Sequence, residues 1–309
     1  MDLFNINIPS PIEKVDHSFL VENEINLFVK REDLIHPHVS GNKWRKLKYN
    51  LIEAKKMGRD TIITFGGAFS NHIHATAAAC RTLNLKSVGI IRGEYDEQNP
   101  TLQFAQSCGM QLKFIDRQSY REKENSDAVR SIIADYINYY LVPEGGSNPK
   151  AYKGLQELAD EINKLNVDVV MVSSGTGGTA TGILKHLNPG MELWVFSSLK
   201  SDYLRDEILS KTDSSKHKRL KFRANYHLGG YGKTPKRLID FINRFLKESK
   251  ILVDPIYNGK LLFGFYDMVH NGLIDSSKSY LWIHTGGLQG INAYNYMAEK
   301  KGKTKIRIS

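Results

Sequence analysis

Residues 173–179, Ser-Ser-Gly-Thr-Gly-Gly-Thr, form a glycine loop of the kind that binds a phosphate group. The loop lies at the end of an apolar run, 168–175, that predicts a buried strand, and a helical pattern follows it. The backbone N–H groups of a glycine-rich turn and the amino end of a helix together attract an anion. The sequence therefore predicts a phosphate site, and a tight turn without a ligand is the alternative.

The spacing of this glycine loop narrows the choice of phosphate ligand. Its GxGxxA spacing overlaps the dinucleotide fingerprint, which requires an acidic residue at the end of the next strand. The next predicted strand, 192–198, ends in serines, and a lysine follows at position 200. A Walker loop requires Gly-Lys followed by Ser or Thr, but Gly182 is followed by Ile183. Pyridoxal phosphate requires neither the acidic residue of the dinucleotide fingerprint nor the Gly-Lys of a Walker loop, but its chemistry requires a lysine.

Lys43 is the candidate for that lysine. It belongs to a stretch in which four of six residues, 43–48, are cations at the predicted start of a helix. The helix dipole and the neighbouring cations both disfavour the protonated form of its amine. An amine that loses its proton readily is what covalent bonding to an aldehyde requires. A solvated basic turn is the alternative interpretation of this stretch.

Short apolar runs rich in β-branched residues alternate with helical patterns along the chain. The predicted strands are 60–67, 86–93, 111–116, 168–175, 192–198 and 279–287. The predicted helices are 43–57, 71–83, 101–108, 126–139, 152–164 and 235–249. This alternation predicts an α/β fold with mostly parallel sheets flanked by helices. Ligands bind at the carboxyl ends of such strands, where glycine pairs stand at 66–67 and 286–287.

A proline- and glycine-rich stretch at 139–154 predicts a domain boundary. Residues 55–148 would form a smaller α/β domain. Residues 1–54 and 149–309 would together form a larger domain that binds the cofactor.

The composition is that of an ordinary globular protein, with 309 residues, 41% hydrophobic and 25% charged. No apolar run reaches the length of a membrane helix and no signal peptide is recognisable, so we expect a cytoplasmic protein without a membrane partner. Cys80 and Cys108 have no metal-like spacing and are expected in the core. The net charge of +10 includes a basic cluster at 211–223 without a nucleic-acid motif. A solvated loop explains this cluster, and we expect no nucleic-acid partner and no metal.

Residues 29–51, VKREDLIHPHVSGNKWRKLKYNL, resemble the cofactor-lysine segment of the 1-aminocyclopropane-1-carboxylate deaminase and D-cysteine desulfhydrase family. That family belongs to the tryptophan-synthase-β-like, fold type II enzymes that use pyridoxal 5'-phosphate. Further segments resemble family motifs in the same order, at 64–79, 142–162, 173–183, 229–235, 254–260 and 284–287. The resemblance implies two open, twisted, mostly parallel sheets, a small amino-acid substrate and a homodimer.

The resemblance also implies roles for individual residues. Lys43 would bond covalently to the cofactor and later act as acid and base. Ser70 would contact the substrate carboxylate or move a proton, and Asn71 would hydrogen-bond the 3'-oxygen of the cofactor. Tyr231 and Tyr257 would face the substrate.

The remaining implied cofactor contacts lie later in the chain, and the phosphate would be held by Gly175, Thr176, Gly177, Gly178 and Thr179. Asn258 and Thr285 would lie near the pyridine ring. His72 and His74 are expected to support the site or lie on the surface, and the family often has arginine at the second of these positions.

Two positions separate the family's activities. Deaminases that open the cyclopropane ring typically have glutamate at the position of Asn258 and leucine at the position of Thr285. A glutamate keeps the pyridine nitrogen protonated, whereas an amide can only hydrogen-bond. Desulfhydrase-type members have a neutral hydroxyl residue at the first position and threonine at the second. Expelling a thiolate needs less electron withdrawal than cleaving a strained carbon–carbon bond, so both positions favour elimination.

The predicted function is therefore α,β-elimination of a small amino acid, with D-cysteine converted into pyruvate, sulfide and ammonia. Opening of the cyclopropane ring to 2-oxobutanoate and ammonia is the alternative within the family. A β-replacing synthase, a nicotinamide oxidoreductase and a non-catalytic ligand-binding relative of the fold are the others.

Overall fold

The computed structural model describes residues 5–308, which cluster into two compact units. The smaller unit comprises 5–6 and 36–154, and the larger comprises 7–35 and 155–308. The sequence had placed residues 36–54 with the larger domain. They cluster instead with the smaller unit, because the helix that they include packs against a helix of that unit.

The strands of the described residues form one larger and one smaller sheet. They are β1 (Ile12–Lys14), β2 (Asn26–Lys30), β3 (Thr61–Gly67), β4 (Lys86–Arg92), β5 (Met110–Ile115), β6 (Tyr139–Val142), β7 (Val169–Ser174), β8 (Glu192–Ser197), β9 (Leu220–Arg223) and β10 (Ser279–Ile283).

The helices vary from one turn to more than four. The α-helices are α1 (Ser18–Glu22), α2 (Gly41–Lys56), α3 (Asn71–Thr82), α4 (Pro100–Ser107), α5 (Arg117–Glu122), α6 (Asp127–Ala134), α7 (Pro149–Ile162), α8 (Gly178–His186), α9 (Tyr203–Ser210), α10 (Lys236–Ser249), α11 (Asn258–His270) and α12 (Gln289–Lys300). Short 3₁₀ helices lie at Glu32–Leu34, Lys123–Asn125, Glu144–Gly146 and Ser214–Arg219. Within residues 5–308, no helix is both long enough and apolar enough to cross a membrane.

The larger unit is built on a six-stranded sheet in the order β1-β2-β10-β7-β8-β9. Every pairing in it is parallel except that of β1 with β2. Successive residues of β7 belong to two different cores, with Val169 and Met171 in one and Val170 and Val172 in the other. A strand that packs helices on both faces must be apolar throughout, which explains the continuous hydrophobic run.

The smaller unit is built on a four-stranded parallel sheet in the order β5-β4-β3-β6. Its two cores likewise take alternate residues of β4, since Val88 and Ile90 pack in one and Ile91 packs in the other with Ile73 of α3. Cys80, also on α3, is fully buried, and burial raises the pKa of its thiol.

Two mostly parallel sheets flanked by helices confirm the predicted fold class. The six predicted strands are all present, with ends that differ from the prediction by at most four residues. The predicted helix 126–139 is too long, because α6 ends at Ala134 and β6 begins at Tyr139. Four of the described strands were not predicted. Strands β1, β6 and β9 are only three or four residues long. The five residues of β2 combine apolar side chains with a lysine.

Helix α7 approaches helix α2 closely at Gly154. A Cβ atom at this glycine would lie 1.9 Å from the carbonyl oxygen of Arg45. Only a residue without a side chain allows the two backbones to come this close. This contact holds the amino-terminal half of α2 in place, and with it the segment that carries Lys43.

We expect Gly154→Ala to lower the free energy of unfolding by about 3 kcal/mol, since the added methyl group must displace backbone rather than a side chain. Denaturant titration of the purified protein measures the change. Gly190→Ala is the matched control, because nothing lies within 4 Å of its Cβ position, and it should change stability by less than about 0.5 kcal/mol. Equal stability of the two variants would contradict the close approach.

Candidate active site

Lys43 lies in the first turn of α2, as predicted. Ser40 is the N-cap residue, but its side chain makes no capping hydrogen bond. The backbone N–H of Lys43 donates to the Ser40 carbonyl oxygen at 3.3 Å. Trp44 and Leu47 turn into the core, which leaves the Lys43 side chain partly buried on a different face.

Burial lowers the pKa of Lys43 to about 8. The sequence had suggested a lowered pKa for another reason, the helix dipole and neighbouring cations. The next lysine on the same face, Lys46, is buried as well, and its pKa lies well below the ordinary value because of burial and then the charge of Lys43. Its amine donates to the Ser147 hydroxyl at 3.0 Å. Both amines therefore lose their protons more readily than exposed lysines do.

Ser70 and Asn71 lie at the start of α3 in the same unit. The Ser70 hydroxyl is a helix cap that accepts the backbone N–H groups of His72 at 3.2 Å and Ile73 at 3.4 Å. The cap role and the predicted carboxylate role are compatible, because a hydroxyl that accepts can still donate its hydrogen. The amino end of this twelve-residue helix adds a favourable field for an anion.

His72 is a buried neutral imidazole beside the two lysines. The Thr64 hydroxyl donates to the Val142 carbonyl oxygen at 2.8 Å, so it accepts from His72 Nε2, also at 2.8 Å. Nδ1 is then the unprotonated nitrogen, and it is buried without a hydrogen-bond partner among residues 5–308. Burial, followed by the charges of Lys43 and Lys46, holds the pKa of His72 well below its usual range.

His74 was expected to support the site or lie on the surface, and the second alternative is wrong because the residue is buried. Its ring stacks on Phe104 at a centroid distance of 3.8 Å, and burial lowers its pKa to about 3. His72 and His74 point into different environments, one towards Thr64 and the other towards Phe104.

The glycine loop in the larger unit has the geometry of an anion cradle. The Ser174 hydroxyl accepts from the N–H of Gly177, whose φ of +73° requires glycine, and α8 begins directly after it. A Cβ at Gly175 would lie 2.9 Å from the Tyr257 ring. The Ser173 hydroxyl is buried without a hydrogen-bond partner within the described part of the chain, so it is available to a ligand.

Asn258 is buried and uses its whole amide within the protein. Its Nδ2 donates to Asp254 Oδ1 at 2.8 Å and to the Gly286 carbonyl oxygen at 3.1 Å. Its Oδ1 accepts from Trp282 Nε1 at 3.2 Å and from the N–H and hydroxyl of Thr285 at 3.3 and 3.4 Å. The resemblance implied a cofactor contact for Asn258. In this geometry the amide also holds Thr285, whose hydroxyl is a second neutral polar group beside it.

Tyr257 and Tyr231 lie together in the larger unit, with their hydroxyl oxygens 3.5 Å apart. Tyr257 precedes α11, whereas Tyr231 lies on an exposed loop. Lys260 holds this loop to α11, because its amine donates to the carbonyl oxygens of His227 at 2.9 Å and Gly230 at 2.7 Å. Burial lowers the pKa of Lys260 to about 8.

The predicted site residues thus fall into two groups. Lys43, Ser70 and Asn71 belong to the smaller unit, and the glycine loop, both tyrosines, Asn258 and Thr285 belong to the larger. Sequence reasoning assigned no role to Lys46 or Lys260, and it left His72 either supporting the site or on the surface. Each lies within a quoted motif, but only the structure shows that their polar atoms are buried.

The pKa of Lys43 predicts a pH dependence of stability. Between pH 8 and about 10.5 the unfolded chain holds the lysine proton and the folded chain does not, so stability rises with pH. Relative to Lys43→Met, the free energy of unfolding of the protein without added aldehyde should increase by roughly 3 kcal/mol over that range. Denaturant titrations at several pH values measure it. Lys55→Met, an exposed change on the same helix, is the control, and parallel curves for the protein and Lys43→Met would refute the assignment.

The environment of Asn258 predicts the behaviour of Asn258→Asp. A carboxyl group there would be buried beside Asp254 and would have a raised pKa. The folded state would then hold the extra proton, so stability falls as pH rises above about 4. We expect the free energy of unfolding, relative to wild type, to be roughly 3 kcal/mol lower at pH 8 than at pH 5. Asn271→Asp, at the exposed end of the same helix, should show less than about 1 kcal/mol.

Comparison with known proteins places this geometry in a family. The family model described as "Pyridoxal-phosphate dependent enzyme" matches residues 5–286. A putative 1-aminocyclopropane-1-carboxylate deaminase of Pyrococcus abyssi is 30% identical over 289 residues, which is 87% of each chain. The mitochondrial bifunctional D-cysteine desulfhydrase/1-aminocyclopropane-1-carboxylate deaminase of Arabidopsis thaliana is 29% identical, covering 92% of this chain and 78% of that protein.

Solved structures agree on the fold. The crystal structure of an ACC (1-aminocyclopropane-1-carboxylate) deaminase homologue superimposes with a TM-score of 0.81 at 24% identity, covering 96% of this chain and 93% of that one. Threonine deaminase isoform 2 from Solanum lycopersicum superimposes with a TM-score of 0.67 at 16% identity, covering 97% of this chain and 85% of that one. The chain therefore belongs to the pyridoxal-phosphate dependent enzymes, in the family that contains the 1-aminocyclopropane-1-carboxylate deaminases and D-cysteine desulfhydrases.

Proposed function

We propose that this enzyme removes a β-substituent and the amino group from a small amino acid, with D-cysteine as the substrate. The products would be pyruvate, sulfide and ammonia, and one water is consumed. The observation that carries the proposal is the neutral pair Asn258 and Thr285, where ring-opening deaminases typically have glutamate and leucine.

Each unit has residues that fit one part of pyridoxal phosphate. In the smaller unit, Lys43 presents an amine with a pKa of about 8 that would hold the cofactor aldehyde covalently. In the larger unit, the glycine loop offers backbone N–H groups and the partnerless buried hydroxyl of Ser173 to its phosphate. Asn71 would hydrogen-bond its 3'-oxygen. When bound, the cofactor supplies an electron sink that stabilises negative charge at the α-carbon of the substrate.

The remaining chemistry falls to this chain's own side chains. The Lys43 amine would take the α-proton, because a pKa of about 8 leaves roughly a tenth of it unprotonated at pH 7, far more than an exposed lysine would have. Ser70 and the amino end of α3 would hold the substrate carboxylate. Tyr257 and Tyr231 would position the substrate side chain or exchange a proton with the leaving group.

The neutral pair supports elimination because of what surrounds it. Trp282, Asp254 and the Gly286 carbonyl fix Asn258 in one orientation, and Asn258 in turn fixes Thr285. Because this hydroxyl donates its hydrogen to Asn258 Oδ1, it would present a neutral oxygen to the cofactor ring, which stabilises a protonated pyridine nitrogen less than a carboxylate does. A less strongly protonated ring is a weaker electron sink, which suffices to expel a thiolate.

Ring opening of 1-aminocyclopropane-1-carboxylate is the second candidate. It is favoured by the names of relatives from Pyrococcus abyssi and Thermotoga maritima, both called putative deaminases of this compound. The Arabidopsis thaliana relative carries both activities in its name. A non-catalytic relative is the third candidate, and the intact Lys43, Ser70, Asn71 and Tyr257 argue against it.

A substrate panel distinguishes these candidates. Purified holoenzyme is incubated with D-cysteine, L-cysteine, D-serine and 1-aminocyclopropane-1-carboxylate, and sulfide, ammonia and keto acid are quantified. D-cysteine should give equal amounts of sulfide, ammonia and pyruvate. Ammonia from the cyclopropane compound alone would replace elimination by ring opening, and no product from any compound would support a non-catalytic protein.

Lys43→Ala should abolish the visible absorbance band of the holoenzyme and lower turnover of the best substrate by roughly 10³-fold or more, because the covalent anchor and the base are lost together. The spectrum before and after borohydride and the rate of ammonia release measure both effects. Lys55→Ala, exposed on the same helix, should retain band and turnover. A Lys43→Ala protein that keeps wild-type turnover would rule out this lysine as the catalytic base.

Assembly as a cytoplasmic homodimer is also part of the proposal, on the strength of the family resemblance. Light scattering of the purified holoenzyme tests the oligomeric state.

A further inference from the structure

A cavity lined mainly by cations lies within the smaller unit. Its volume is about 560 Å³, and we call it the arginine pocket, defined by Arg92, Arg117, Tyr120, Arg121, Lys123 and Glu144. Arg92 is the last residue of β4, and Arg117 is the first residue of α5, which directly follows β5. These two strands are parallel neighbours, so the pocket lies at the carboxyl edge of the sheet, where α/β proteins bind ligands.

The arginine pocket has more positive charge than its own residues can neutralise. Four cations line it against the single carboxylate of Glu144. That carboxylate is already used, because it accepts from the Tyr120 hydroxyl at 2.7 Å and from Lys123 Nζ at 2.8 Å. Among residues 5–308, Arg92, Arg117 and Arg121 form no ion pair and no hydrogen bond through their side chains. Three guanidinium groups therefore converge on one cavity without a counter-ion from the protein.

The floor of the pocket is fixed rather than loose. Tyr120 is buried, with Lys123 Nζ 3.3 Å and Arg92 Cζ 5.4 Å from the centroid of its ring. The ring thus holds two cations near each other through cation–π contacts, against their mutual repulsion. Lys123 also has a φ of +54° with ψ of −131°, a backbone conformation that non-glycine residues rarely adopt. Such strain is characteristic of ligand sites.

We propose that the arginine pocket binds a small organic molecule that carries a phosphoryl group, at a site separate from the cofactor. The planar guanidinium fork matches the oxygen atoms of a phosphoryl group and donates two parallel hydrogen bonds to it. A doubly charged phosphoryl group compensates three unpaired cations better than a single carboxylate does. The cavity has the volume of a small-molecule site and so accommodates the organic body of the ligand as well.

The arginine pocket and the glycine loop proposed for the cofactor phosphate consist of different residues. The glycine loop belongs to the larger unit, whereas every residue of the arginine pocket lies within 92–144 of the smaller unit. In the holoenzyme the glycine loop would be occupied by the cofactor, so a second phosphoryl ligand must bind elsewhere. The proposal does not depend on which amino acid is the substrate, because it concerns binding alone.

Calorimetric titration of the holoenzyme tests the proposal, with glycerol 3-phosphate and inorganic phosphate as the two probes. We expect glycerol 3-phosphate to bind more tightly than inorganic phosphate. The double variant Arg117→Gln with Arg121→Gln should weaken glycerol 3-phosphate binding by about thirtyfold or more, since two charged hydrogen-bond donors are removed. Both arginines are exposed, and neither takes part in the proposed chemistry.

Two comparison variants make the outcome decisive. Arg130→Gln removes an arginine of α6 that pairs with Asp127 outside the pocket, and it should bind glycerol 3-phosphate as the wild type does. Arg117→Lys with Arg121→Lys keeps the charge but loses the fork, so its affinity should fall between wild type and the glutamine pair.

Several results would overturn the proposal. Undetectable binding of both probes, or binding that the glutamine pair leaves unchanged, means that the pocket is not a phosphoryl site. If Arg117→Lys with Arg121→Lys binds glycerol 3-phosphate as tightly as the wild type does, the pocket is a general cationic patch. If the wild type binds glycerol 3-phosphate and inorganic phosphate equally tightly, no organic body is recognised. The cofactor absorbance and circular dichroism of each variant verify that it is folded.

Discussion

The removal of two lysine amines from water is the constraint on which the smaller unit depends. An ammonium group buried without a carboxylate partner is costly, so a buried lysine becomes neutral instead. Among residues 5–308, neither Lys43 nor Lys46 forms an ion pair, and burial is the first cause of the lowered pKa of each. The neutral imidazole of His72 beside them is consistent with that requirement, since it adds no further positive charge.

The larger unit solves a different problem, the orientation of a neutral polar group in an apolar core. Asn258 would be expensive to bury alone, but every hydrogen-bonding atom of its amide has a partner. A saturated amide has one stable orientation, and so does the threonine hydroxyl bound to it. A glutamate in place of Asn258 would bring a second negative charge beside Asp254. Replacing asparagine by glutamate would therefore also require changes among the hydrogen-bond partners of Asn258.

Much of the fold could be predicted from the sequence because buried parallel strands are continuous apolar runs. All six such runs are strands, whereas β9 combines apolar residues with lysine and arginine and gives no such signal. Lys43 became a candidate because its helix begins with cations and its segment resembles the family's cofactor-lysine segment, although the cause of its lowered pKa is burial. His72 was not identifiable as a buried neutral base, because its tautomer is fixed by Thr64 and Val142, and Val142 lies seventy residues away along the chain.

The two cysteines have a consequence for the proposed release of sulfide. Both are free, and the burial of Cys80 keeps it a protonated thiol at any physiological pH, which makes it a poor nucleophile. Sulfide reduces disulfides by attack on a sulfur atom, and the stability of this fold involves no such bond. Within residues 5–308 the fold thus contains no disulfide that the proposed product could reduce, even though that product would be most concentrated around the molecule that makes it.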